Sequence, residues 1–202
     1  AEQFNVGLKY TRNFEKSPFM RMLDVSVDAY YNKITDKIIA YPKGQQFRWT
    51  MLNLGEVEIK GVDAVLNALF TLGKLEVTTK FQYTYQKAID ITDPAATYYR
   101  DQIPYIPWHS GSAIIALSWG TWSLGYSFIY VGERYNQQEN IIYNHTQPWY
   151  TSDMTLMKEI RWGKARLRFT AEVNNLFDQD YDVILNYPMP MRNYKFGLAV
   201  EL

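Results

Sequence analysis

The 202-residue chain contains no cysteine. That excludes a disulfide scaffold, Cys-ligated zinc, iron–sulfur clusters and thiol catalysis together. Net charge is also missing, since 21 basic side chains balance 21 acidic ones. Without a polybasic or polyacidic field, electrostatics nominate no partner, and nucleic acid is not expected. Long apolar runs are absent: the best, AIIAL at 113–117, is far short of the roughly 20 residues of a membrane-spanning helix. The opening AEQFNVGLKY has no charged region followed by an apolar one, so no signal peptide is expected there. No initiator Met opens the chain, which reads as a mature product or as a piece of something longer. Glycine (11) and proline (8) are few, whereas 17 Tyr, 10 Phe and 6 Trp make the chain 16% aromatic. That density favours strands over helices, in a length that suits one domain.

The hydropathy pattern has period two. Leu75, Val77, Thr79, Phe81, Tyr83 and Tyr85 alternate with Glu76, Thr78, Lys80, Gln82, Thr84 and Gln86, a split that helical spacing cannot produce. Ala165, Leu167, Phe169, Ala171 and Val173 alternate with Arg166, Arg168, Thr170 and Glu172, and the last segment, 194–202, behaves alike. Segments 4–10, 23–31 and 122–130 follow the rule, and 56–70, 108–119 and 149–160 follow it more weakly. Within 56–70 the apolar parity switches around Gly61, from Val57 and Ile59 to Val62, Leu66 and Phe70. A bulge or glycine kink is the expected cause.

Nine strands result, and their connections alternate in length. Short ones cover 11–19, 71–74, 120–121 and 161–164; long ones cover 33–46, 88–107, 132–148 and 175–191. An all-β antiparallel up-and-down meander of this kind is the plan of an outer-membrane barrel, with short turns below and long loops above. Phe70, Trp119, Trp122 and Trp162 flank the short turns, while Tyr83, Tyr85, Trp108, Tyr130, Trp149 and Tyr150 lie toward the long loops, as two interfacial belts would require. Leu75, Phe81, Leu167, Phe169 and Leu198 are then expected to contact lipid, and Lys80, Arg166, Arg168 and Glu172 to face a hydrated or plugged lumen. A soluble β-barrel or sandwich that binds a ligand also alternates, with its apolar face inward. Closed bacterial barrels need an even strand count, so nine strands read as part of a larger barrel. Scaled to 22 strands, the chain implies roughly 490 residues of barrel.

The stretch VNNLFDQDY at 173–181, followed by YPMPMR at 187–192 and a final amphipathic strand, resembles the C-terminal signature of TonB-dependent outer-membrane receptors. NLG at 53–55, GVD at 61–63, IPYIPWH at 103–109 and the opening EQFNVGLK are similar to that family's recurring strand starts. Met191 stands where the family usually has Gly, Asp63 where it has Glu, and Leu202 where the last residue is usually Phe. The resemblance implies a C-terminal barrel portion in a Gram-negative outer membrane, with the plug domain and N-terminal strands absent from these residues. It implies, for the parent, uptake of a siderophore, haem, cobalamin or similar nutrient. It also implies a plug domain, the TonB complex and a lipid or lipopolysaccharide bilayer as partners.

Catalytic constellations are thin, and no enzyme, cofactor or metal site is expected. His109 and His145 are 36 residues apart, and Asp90, Asp93 and Asp101 lack EF-hand spacing. Serines 110, 112, 118, 123 and 127 have no His and carboxylate at motif spacing. A small outer-membrane barrel enzyme would have to use His109 with Asp101. The expected ligand contacts lie in the loops: Tyr98, Tyr99, Arg100, Tyr105 and Trp108 from one, Arg134, Tyr135 and Tyr143 from another. Aromatic planes with arginine suit a large, flat, often anionic metal complex.

Overall fold

The computed structural model describes residues 1–43 and 48–202. In chain order the strands are β1 (Glu2–Asn13), β2 (Met20–Thr35), β3 (Ile38–Lys43), β4 (Arg48–Asn53), β5 (Glu56–Leu72) and β6 (Leu75–Asp90). Then come β7 (His109–Trp119), β8 (Trp122–Val131), β9 (Arg134–Tyr135), β10 (His145–Thr146) and β11 (Trp149–Trp162). The chain finishes with β12 (Ala165–Asn174), β13 (Asp182–Ile184), β14 (Tyr187–Pro188) and β15 (Asn193–Glu201). Nine of these form one antiparallel sheet in the order β1-β2-β5-β6-β7-β8-β11-β12-β15. Its edges, β1 and β15, are not paired with each other, so the sheet is open. The remaining six strands are short hairpins inside long loops, β3 with β4, β9 with β10 and β13 with β14. Alternation cannot reveal the two- or three-residue pieces β9, β10, β13 and β14; β3 and β4, six residues each, lie where the sequence reading expected a loop and the approach to the next strand.

Three of the short connections are two-residue hairpins. Gly73, Gly120 and Gly163 take φ of 63°, 60° and 62°, the positive φ that the first central position of a type II′ turn requires. The sheet pairs Leu72 with Leu75, Trp119 with Trp122 and Trp162 with Ala165 right up to the turns.

The register sorts side chains into two faces. Thr11, Asp24, Asn67, Lys80, Ile114, Ser127 and Asp153 stand opposite one another in successive strands. One residue along, Tyr10, Val25, Leu66, Phe81, Ala113 and Phe128 form the matching row on the other face. Phe70, Val77, Leu117, Leu124, Leu156, Ala171 and Phe196 form another. The polar face is laced by cross-strand contacts: Thr11 and Asn67 donate to Asp24 at 2.7 and 3.3 Å, and Thr84 donates to Asp63 at 2.6 Å. Arg168 meets Glu159 at 2.9 Å, Arg166 meets Glu201 at 3.5 Å, and Lys195 lies 3.8 Å from Glu172.

Gly61 is not a bulge. The pairing of β5 with β6 runs without a shift from Val57 to Leu72. The parity change arises because the apolar content changes face along one regular strand. Near the long loops, Val57 and Ile59 join Leu54, Ala88 and Ile103 in a small buried core, with Tyr30, Ile34, Ile39 and Ile106 packed against it. Farther down, Val62, Leu66 and Phe70 point to the other side. Glycine is needed at 61 because Tyr30 lies over it, and a Cβ there would also meet the Tyr85 carbonyl at 2.7 Å. Gly61→Ala is therefore expected to cost about 1–3 kcal/mol, read by urea unfolding. Tyr30→Ala should rescue it only in part, because the backbone carbonyl remains; full rescue would show that the ring alone demands glycine.

Candidate functional site

The long connections all leave the same end of the sheet, and three of them are bonded into one cap. Hydrogen bonds join loop 91–108 to loop 132–148. Tyr105 N–H donates to the Tyr135 carbonyl at 2.9 Å, and Gln102 Nε2 donates to the Glu133 carbonyl at 3.2 Å. Asn140 N–H reaches Asp101 at 2.8 Å, and the Thr97 hydroxyl reaches Glu139 at 2.6 Å. Loop 175–192 joins through Arg134, which donates to the carbonyls of Val183 and Asp182 at 3.0 and 3.3 Å.

The expected ligand contacts divide accordingly. Tyr99 and Tyr143 are exposed, Tyr143 by 89%. Arg100 is exposed at a φ of 68°; Tyr98 and Tyr135 are half-buried, with the Tyr135 ring edge-on to His145 at 5.6 Å. Trp108 is half-buried beneath Lys87, whose ammonium lies 5.0 Å from the ring centre.

Arg134 is a correction: it is 3% exposed and holds two loops together, so it has no place on an open rim. Burial pulls its pKa below the ordinary arginine value, with the neighbouring Tyr105 opposing; the guanidinium still stays charged, as it does throughout proteins. Tyr105 is likewise half-buried, and burial raises its hydroxyl pKa against the opposing influence of the Leu185 backbone and Arg134. Trp149 is a second correction. It pairs with Val131 on the polar face and stacks on Tyr181 at 4.7 Å, so it belongs to the cap and not to an outer belt.

His109 Nδ1 lies 2.8 Å from the Tyr83 hydroxyl, while Asp101 accepts from Asn140; the pair an enzyme would need is not assembled. Asp90 and Asp93 accept local N–H groups of Thr92 and Ala95. Among the described residues no group of three His, Asp or Glu side chains could hold a metal.

Asn175, the first residue of the NLFD stretch, organises the segment after β12, a role its place in the motif did not reveal. Buried, at a φ of 53°, it accepts from Gln179 N–H at 2.8 Å and donates to the carbonyls of Gln179 and Pro190 at 2.8 and 3.3 Å. Asp178 accepts from the Arg192 N–H at 2.8 Å. The residues of the NLFD and PMR stretches thus fasten a loop.

A family model described as TonB dependent receptor-like, beta-barrel matches residues 1–176. The chain belongs to this family. The nine-stranded sheet is a portion of a TonB-receptor barrel, and solved structures show the same fold beyond residue 176. The ferric-catecholate import receptor Fiu from K12 E. coli superposes with a TM-score of 0.67 at 19% identity, over 98% of this chain and 27% of Fiu. BauA, the ferric preacinetobactin receptor from Acinetobacter baumannii, gives 0.64 at 15% identity, over 98% of this chain and 29% of BauA. The ferric citrate transporter FecA gives 0.61 at 15% identity, over 98% and 31%. The chain therefore spans under a third of the length of these TonB-receptor relatives.

Proposed function

We propose that this chain is the C-terminal part of an outer-membrane TonB-dependent receptor whose parent imports a siderophore, haem, cobalamin or a nutrient of similar size. One observation carries the reading: a single sheet separates an apolar face from a charge-paired face, and sends all its long loops to one end, where three form a cap. The apolar face contacts lipid through residues such as Phe81, Phe169 and Leu198. Lys80, Arg166, Arg168 and Glu172, on the other face, line a lumen that a plug domain fills, and the TonB complex supplies the energy through that plug.

The dimensions agree. From the Trp119–Trp122 pair to the row of Tyr83, Tyr130 and Tyr150 is eight residues along β8, about 26 Å of strand. At a tilt of about 40° that is about 20 Å of depth, close to the ~25 Å apolar band of such barrels. Among the described residues, a cation that faces outward beside this lower row, Lys158, lies over the Trp122 ring at 4.4 Å and donates to the Thr121 hydroxyl at 2.6 Å. A lysine at a bilayer edge reaches back to the turn in this way.

The cap then meets cargo through Tyr98, Tyr99, Arg100, Tyr135 and Tyr143, with Trp108 beneath. Changing Tyr99, Arg100, Tyr135 and Tyr143 together to Ala in the complete receptor should weaken equilibrium binding by about 1–2 kcal/mol for each desolvated stacking or charged interaction that the change removes, with barrel yield unchanged. Binding that stays the same for ferric chelates, haem and cobalamin would place specificity in the plug or the other strands.

A further inference from the structure

The apolar face carries a groove of about 540 Å³ at the upper aromatic row and just below it, within the size range of small-molecule sites. Cross-strand pairing makes it. Ala64 stands opposite Tyr83, and Ala113 stands between Phe81 and Phe128, so small side chains lie beside rings and leave a channel. The Tyr83 wall is held in place, because its hydroxyl lies 2.8 Å from His109 Nδ1. A wall already fixed loses little freedom when an occupant enters.

Above the groove the same face changes character. Lys60 and Lys87 are register partners, each four residues up from Ala64 or Tyr83. That is about 13 Å of strand, or about 10 Å of depth at a tilt of about 40°. Like charges directly opposite each other destabilise a sheet, and Glu58 offsets only part of this pair. It sits 2.9 Å from Lys60 and accepts from the Tyr31 hydroxyl at 3.3 Å. Lys87 rests over the Trp108 ring and, among the described residues, pairs with no carboxylate. Arg100, which is exposed, lies within electrostatic reach of Glu58 as well. Glu2 and Glu56 gather at Lys33 instead. Around Lys60 and Lys87, three cations therefore share one carboxylate, and the patch is positive.

We propose that this face binds a phosphorylated glycolipid of the outer leaflet, with a phosphate at Lys60 and Lys87 and one acyl chain in the groove below. This rests on the outer-membrane reading above, which puts the long-loop end in the leaflet that carries lipopolysaccharide. Down the strands the chemistry runs from cations, through tyrosine and histidine, to an apolar channel. A phosphorylated lipid presents its groups in the same order: phosphate, polar linkage, chain. A phosphate monoester carries about −1.5 to −2 charges at pH 7, and so matches the patch better than the single charge of a phosphodiester. The headgroup favoured is therefore that of lipid A and not that of a phospholipid.

The test uses the complete receptor, stripped of lipid in detergent and titrated with diphosphoryl lipid A, with binding read by native mass spectrometry. Dephosphorylated lipid A, phosphatidylglycerol and inorganic phosphate are the comparisons, and urea unfolding separates a folding defect from lost lipid. Diphosphoryl lipid A should bind at least about tenfold more tightly than the other two lipids, and inorganic phosphate should not displace it. Lys60→Gln and Lys87→Gln should each weaken it about fivefold, the scale for one cation at a lipid surface. Ala64→Leu combined with Ala113→Leu fills the groove without touching charge and should weaken it about tenfold, the worth of roughly two buried methylenes. Equal or tighter binding of either comparison lipid overturns the proposal, as does displacement by inorganic phosphate. Binding that the lysine changes or the alanine changes leave unaltered overturns it too. A receptor that enters vesicles but does not discriminate among lipids loses this inference alone. One that does not enter vesicles at all loses the outer-membrane reading with it.

Discussion

Asn175→Ala should be the costliest single change in the cap. Alanine removes one acceptor and two donors at a position 4% exposed, and leaves the Gln179 N–H and the carbonyls of Gln179 and Pro190 without their partner. At about 1 kcal/mol per bond, and more for a group left buried and unmet, the loss is about 3 kcal/mol. Alanine at a φ of 53° adds about 1–2 kcal/mol, since the left-handed region that Asn tolerates crowds a Cβ. Asn175→Gly should lose the hydrogen bonds but escape the backbone term, and so fall between wild type and alanine. Hydrogen exchange over residues 175–191, with urea unfolding, reads both. Equal losses for Ala and Gly would show that the backbone contributes nothing, and an Ala variant with native exchange would mean that Asn175 is not the fastener. Arg192→Ala is the control: it keeps the backbone N–H that Asp178 accepts and removes a side-chain pair 3.5 Å long and half-exposed on both sides, a class of interaction worth about 0–1 kcal/mol. The consequence reaches the rest of the cap, because Asp180 and Tyr181, which line a cleft of about 490 Å³ with residues 145–149, hang from this turn.

The contrast between Asn175 and the strands shows what a sequence can display. The nine sheet strands were visible because positions on the two faces of the sheet differ in polarity, so one physical contrast recurs along each strand. Gly61 was visible as a break but misread, since a change of apolar face and a bulge give the same letters; the small core around Leu54 and Ile103 separates them. Arg134 was misplaced for a related reason. Its partners are the backbone carbonyls of Val183 and Asp182, and every residue has a carbonyl, so nothing 48 positions away marks the pairing. The stack of Trp149 on Tyr181 was invisible because the two rings meet only when segments distant in sequence come together. The short hairpins β9–β10 and β13–β14, two or three residues per strand, carry too few alternations to stand out.

Adjacent isoleucines give the sharpest test of the two faces. Ile114 and Ile115 sit in the AIIAL run, where hydropathy assigns neither to a side. The register does: Ile114 lies between Lys80 and Ser127, whereas Ile115 lies between Thr79 and Tyr126 on the apolar face. Ile115 is also four residues from Trp119 and four from Gly111, which pairs with Tyr83 and Tyr130, so it falls midway between the aromatic rows. Ile115→Arg in the complete receptor, refolded into vesicles and unfolded with urea, should therefore cost about 2–4 kcal/mol, the value for a cation on the lipid face at mid-depth. Ile114→Arg should cost under about 1 kcal/mol, most of it from standing opposite Lys80, since a hydrated lumen screens like charges. Ile114→Glu should remove even that, because the new carboxylate faces the Lys80 ammonium. Equal costs for arginine at 114 and 115 would mean that both faces see the same solvent, and the membrane reading would fall. A larger cost at 114 would put the Lys80 face against lipid and Ile115 in the lumen, the reverse of the assignment made from the register.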